Sequence, residues 1–147
     1  MSAMSNYLEN QLVDHILRGQ TFSPTAPASV WIALYTAAPT DAGGGTEIPS
    51  TNNYSRVAVT RALTAWAGTQ AAASTVASSG TGGITSNNAA ITFPIPSGSW
   101  GTITHFAILD AVTGGNFLFT GALTVSQTVN TGNTVSFAAG QLVITFA

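Results

Sequence analysis

His105 is the residue whose type and setting come closest to chemistry. It lies inside the run Gly101–Leu109 (GTITHFAIL), with Asp110 five residues further on. A histidine oriented by a carboxylate is a standard general base. The spacing works against the pair, because residues five apart in an extended strand point to opposite faces. No serine stands in a strand-to-helix elbow, and the chain contains no cysteine. Thiolate nucleophiles and thiolate metal ligands are therefore excluded. His105 reads as a packed polar residue that holds a hydrogen bond. His15 follows Asp14 directly, and neighbours on a helix do not face each other. Two histidines without paired spacing make no metal site. Asp41, Glu47 and Asp110 could surround a calcium ion, but carboxylates scattered over loops are ordinarily solvated. Gly43-Gly44-Gly45 has no following lysine and no strand-to-helix context, so it is a turn and not a phosphate loop. Asn53-Tyr54-Ser55 fits a glycosylation acceptor, but with no secretion signal the match reads as chance. These residues predict no enzyme, no cofactor and no metal.

The remaining conspicuous side chains suit contact better than catalysis. Trp31, Tyr35, Tyr54, Trp66 and Trp100 could form a sugar-stacking platform. Aromatics are equally at home in cores and subunit interfaces, and that reading is preferred. Arg56 and Arg61 are five apart and project to opposite faces of a strand. Either can pair with Asp41 or Glu47 across a subunit boundary, where a guanidinium grips a carboxylate with two prongs. The expected interface residues are Leu8, Leu12, Ile16, Trp31, Tyr35, Arg56, Trp66 and Trp100.

Charge is scarce. Only 5% of the 147 residues are charged, and no lysine is present; ordinary globular chains carry about 25%. A freely diffusing monomer uses more charge to resist association, so an assembled protein is expected. Three arginines cannot build a basic stripe, which argues against nucleic-acid binding. Met1–Gly19 contains Glu9, Asp14 and Arg18, so it lacks the apolar core of a signal peptide. No run of about 18 apolar residues suggests a membrane helix.

The elements that must position these residues are mostly strands. Residues 1–19 form an N-terminal docking helix, running from Ser5 to Arg18. Ser5 caps it, Leu8, Leu12 and Ile16 repeat every four residues with Val13 and Leu17 beside them, and Gly19 stops it. About fourteen residues of helix are marginal alone, so the stripe must dock on the same subunit or on a neighbour. Residues 20–147 form one β-sandwich domain, opening with a Pro-containing linker at Gln20–Ser29. Strands are predicted at Val30–Thr36, Ser55–Arg61, Ala89–Phe93, Thr134–Phe137 and Gln141–Phe146. A central hairpin runs through Gly101–Val125, turning at Thr113–Asn116. On its first strand, Ile103, His105, Ala107 and Leu109 share a face. Residues 63–87 are a flexible polar arm or loop, poor in apolar side chains. The fold class is all-β, a jelly-roll-like β-sandwich with one short N-terminal α-helix.

Read in order, NYLENQLVDHILRG (6–19), VWIALYTAAPTDAGGGTEI (30–48), YSRVAVTR (54–61), TSNNAAITFP (85–94) and WGTITHFAILDAVTGGNFLFTGALT (100–124) resemble a family of small tailed-bacteriophage virion proteins. Its members are labelled tail fibre or minor tail proteins, and similar small β-sandwich proteins serve as capsid cement or decoration subunits. The resemblance spans nearly the whole chain apart from Leu63–Gly83. It implies a virion location and no catalytic motif. Low charge, the docking helix and the polar arm point first to a self-associating cement or decoration protein that bridges capsid subunits. The alternative is a tail fibre or baseplate component contacting the host surface. The partners implied are further copies of the chain, in a closed ring such as a trimer, and the major capsid protein or tail proteins.

Overall fold

The computed structural model describes residues 2–22 and 28–146. Its elements are β1 (Ser2–Met4), α1 (Asn6–Leu17), β2 (Ser29–Ala37), β3 (Thr46–Glu47), β4 (Val57–Thr60), β5 (Ile84–Ser86), β6 (Ile91–Thr92), β7 (Gly101–Leu109), β8 (Phe117–Val129), β9 (Ser136–Phe137) and β10 (Val143–Thr145). The protein is mostly β-strand in sheets, with one short helix.

The hairpin β7–β8 is the centre. β2 pairs with β7 and β1 with β8, all antiparallel, and β3 and β4 share the outer edge of β2, which completes a six-stranded sheet. Outside the hairpin, β6 pairs with β9, and outside those, β5 pairs with β10. Nested antiparallel pairs of this kind are compatible with a jelly-roll-like sandwich.

One face of the large sheet makes the main core. Ile32 lies opposite Ile108, Leu34 opposite Phe106, and Ile108 opposite Phe119. Ile91 and Ile144 of the nested pairs, with Phe93 and Leu142 beside them in sequence, pack onto them. On the other face, Ala33, Tyr35, Ala107 and Leu109 form a second, smaller cluster with Phe117 against it. This explains why β2 and β7 are apolar on both sides.

The expected alternation along β7 fails at one point. Ile103 belongs to the main core with Phe106 and Ile108, not with Ala107 and Leu109. The cause is a bulge: Ile103 faces Gln127, whereas His105 faces Ala122. Two steps on β7 therefore span five on β8, and the inserted residues turn the strand over.

The helix forms as its caps dictate. Ser5 Oγ accepts a bond from Leu8 N at 3.2 Å and also donates to the carbonyl of Phe117. Ser5 N donates to Leu118 O at 3.0 Å. The cap thus fastens the start of the helix to β8 as well as satisfying the first turn. Gly19 takes the left-handed conformation, φ +65°, and the chain doubles back so that Gln20 N reaches Asp14 O at 3.0 Å. Of the expected linker at 20–29, residues 23–27 lie outside the described residues.

The polar segment 63–87 closes on itself. Gln70 Nε2 donates to Ser74 Oγ at 2.8 Å and to Ala77 O at 3.2 Å, while its Oε1 accepts from Ser79 N at 3.1 Å. The segment ends as β5, held against β10.

Candidate docking surface and polar clamp

Two features could carry function: a polar clamp beside the central sheet, and an apolar cleft beneath the helix. The clamp grows from a gap in the sheet. β4 covers β2 at Ser29–Ile32, and β3 covers it at Tyr35–Ala37. Leu34 N falls between them. Tyr54 fills the gap: its hydroxyl accepts from Leu34 N at 2.9 Å and donates to Glu47 Oε1 at 3.2 Å. A side chain thereby replaces a missing rung of the ladder.

Glu47 is gripped from a second side. Arg56 Nε donates to Oε1 at 2.8 Å, and its second terminal nitrogen donates to Oε2 at 2.7 Å. The first terminal nitrogen donates to the carbonyls of Ala111 and Gly114, both at 2.8 Å. One guanidinium therefore ties β3 to the tip of the β7–β8 hairpin. Tyr35 Oη adds a long contact to Glu47 Oε2, 3.5 Å. Burial first, then the charge of Glu47, keeps the Tyr35 hydroxyl protonated well above the usual phenol range. Burial has the same effect at Tyr54, where the charge of Glu47 adds to it and the bond from Leu34 N opposes it. Hydrogen bonding to Glu47 raises Arg56 further above its ordinary value. All these donors and acceptors are spent on one another, so the clamp is structural. Arg56 does find Glu47, as the residue types anticipate, but within one chain and not across a subunit boundary.

His105 and Asp110 have separate partners. His105 Nδ1 lies 2.8 Å from Thr104 Oγ1. Asp110 closes the hairpin turn, accepting from Asn116 N at 2.7 Å and Asn116 Nδ2 at 2.8 Å. Glu47 is held by Arg56 and Asp110 by Asn116, so two of the three carboxylates named for calcium are committed elsewhere. Among the described residues no group of three or more His, Asp or Glu side chains is gathered for a metal.

The aromatics do not make an exposed platform. Tyr54 and Trp100 are buried, with their rings edge to face at 5.3 Å. Tyr54 also stacks on Phe93 at 6.4 Å. Trp100 Nε1 donates to Asn52 O at 2.9 Å. Trp31 is half-buried on the face that carries Tyr35.

The cleft has a volume of about 710 Å³. Leu8 and Leu12 of α1 form one wall, Trp66 and Leu63 another, and Ile108, Phe119 and Ile144 lie among its lining residues. Phe119 and Phe146 meet edge to face at 4.9 Å. The structure thus gathers Leu8, Leu12 and Trp66 at one place. Ile16 continues the helix stripe beyond the cleft and is exposed. Tyr35 and Arg56 belong to the clamp, and Trp100 to the core. Sequence reasoning missed Leu63, Phe119, Ile144 and Phe146 as cleft residues, because only the fold brings them together.

With this geometry in view, the chain matches, over residues 3–145, the family described as Podophage GP4 fiber I protein gp80. The chain belongs to this phage fibre family. Membership places it among virion structural proteins, in agreement with the resemblance read from its motifs. No match was found among curated proteins.

Proposed function

We propose that this protein is a non-catalytic, self-associating subunit of a phage tail fibre, joined to other virion proteins by apolar docking. The observation that carries this reading is the family match, which runs almost from end to end of the chain. The fibre description favours the tail over the capsid, so the cement role suggested by low charge and compact strands gives way to the alternative. The structure is compatible with such a subunit. Glu47, Arg56 and Tyr54 are spent on one another in the clamp, while apolar side chains of α1 remain at the surface. Burying those side chains contributes roughly 25 cal/mol per Å² before association costs. Gold-labelled antibody against this chain, applied to intact particles, tests the location. Label on the fibres supports the reading, and label confined to the capsid shell refutes it.

A further inference from the structure

We propose that the cleft beneath α1 binds a zwitterionic amphiphile, with its hydrocarbon chain inside and its head at the edge beside Arg61 and Asp110. The cleft reaches the main core. Ile108 and Ile144, 3% and 1% exposed, line it together with Leu8 and Phe119, which are also buried. Its volume of about 710 Å³ lies within the range of roughly 300–1,000 Å³ typical of ligand pockets. The floor presents hydrocarbon. Thr85 also lines the cleft, but its hydroxyl donates to Ala67 O at 2.7 Å. Among the described residues, Asn88 Oδ1 is the one buried side-chain oxygen or nitrogen without a partner, and Asn88 does not line the cleft. A polar group carried to the floor would lose its water and gain no side-chain hydrogen bond. What enters must therefore be an apolar chain.

Charge sets the head. Arg61 and Asp110 both line the cleft, and both stand beside the start of β2. Arg61 follows Thr60, the partner of Ser29, and its backbone N donates to Ala28 O at 2.9 Å. Asp110 follows Leu109, the partner of Trp31 on the other edge of β2. Arg61 is exposed and Asp110 half-buried, so both charges lie nearer solvent than the floor does. The Asp110 oxygens accept from Asn116 N and Nδ2, which fixes the carboxylate without neutralising it. A cation and an anion at one edge suit a head that carries both signs, its anion toward Arg61 and its ammonium toward Asp110. A head of one sign would be attracted by one of them and repelled by the other.

Calorimetric titration of the full chain with dodecylphosphocholine, kept below its micelle concentration, tests the proposal. Wild type should bind it. Phosphocholine alone, which has no chain, should bind at least about 100-fold more weakly, because the buried chain supplies most of the affinity. Ala62→Trp fills the cleft from its wall, and Leu63→Glu sets a charge at an exposed lining position. Each should weaken binding about tenfold or more. Arg61→Gln should weaken it about tenfold, and laurate and dodecyltrimethylammonium should each bind less tightly than the zwitterion. Circular dichroism checks that every variant folds. Trp66 lines the cleft, so binding should shift a tryptophan emission that Trp66→Phe removes. Flotation with phosphatidylcholine vesicles separates the two sources of such a ligand: co-flotation assigns a bilayer lipid, and its absence assigns a free single-chain amphiphile. No binding by wild type, or binding unchanged in both Ala62→Trp and Leu63→Glu, would overturn the site. Equal affinity for all three heads would overturn the part given to Arg61 and Asp110. Neither result bears on the fibre location, which labelled particles test separately.

Discussion

Glu47 and Arg56 form a two-pronged ion pair, with N–O distances of 2.8 and 2.7 Å, at the junction of β3, the start of β4 and the hairpin tip. The Arg56 side chain is 9% exposed and that of Glu47 25%. By contrast, Arg18 and Asp14 make an equally short pair at 2.7 Å, but their side chains are 69% and 36% exposed. Exposed pairs contribute little, whereas removing one partner of a buried pair strands the other charge.

Glu47→Gln should therefore destabilise the protein by about 2–4 kcal/mol, below the top of the range for buried pairs because Glu47 still meets solvent. Asp14→Asn should cost no more than about 0.5 kcal/mol. Urea unfolding of both variants checks the contrast.

Tyr54→Phe keeps the ring between Phe93 and Trp100 but removes the partner of Leu34 N. A buried donor left unsatisfied costs about 1–3 kcal/mol. Tyr35→Phe, which loses only a contact of 3.5 Å, should cost clearly less. Thermal unfolding of the two variants side by side would show the order.

Gly115 has φ +79°, and a Cβ there would sit 2.5 Å from Asp110 Oδ1 and 2.6 Å from Ala111 Cβ. Gly115→Ala should therefore cost more than about 1 kcal/mol. Gly114→Ala, with φ +59° and open space around it, carries only the conformational penalty and should cost less. Comparing the two melting temperatures separates crowding from backbone preference.

Stability should also fall in alkali. Tyr35 and Tyr54 are raised above their ordinary 10.0 in the folded protein. Between that value and the higher folded one, the unfolded chain holds fewer protons than the folded chain. Stability is then fully present below about pH 10 and is lost as pH rises beyond it. Urea unfolding from pH 8 to above pH 10 should show a plateau followed by a decline, and Tyr54→Phe should make the decline shallower.

Parts of this molecule were legible in the sequence because their signals are local. The helix is written in Ser5, in the four-residue stripe and in Gly19. The hairpin is written in two apolar runs around Gly114-Gly115. Strands of two or three residues, such as β1, β3 and β5, leave no period to read. The bulge opposite Thr104 is invisible for another reason: it arises from unequal step counts on two strands, and neither strand alone records it. The pairing of Arg56 with Glu47 was legible as a match of residue types, but whether one chain or two supplied the partners depends on how β2 carries both β3 and β4 on one edge. The cleft was hidden most completely, since its walls come from positions as distant as Leu8 and Phe146.

Cryo-electron microscopy of the intact particle decides whether this chain is a fibre subunit of the virion. The fold, with α1 against β8, should fit density in the tail fibre. Density for this chain in the capsid shell alone, with none in any fibre, would contradict it.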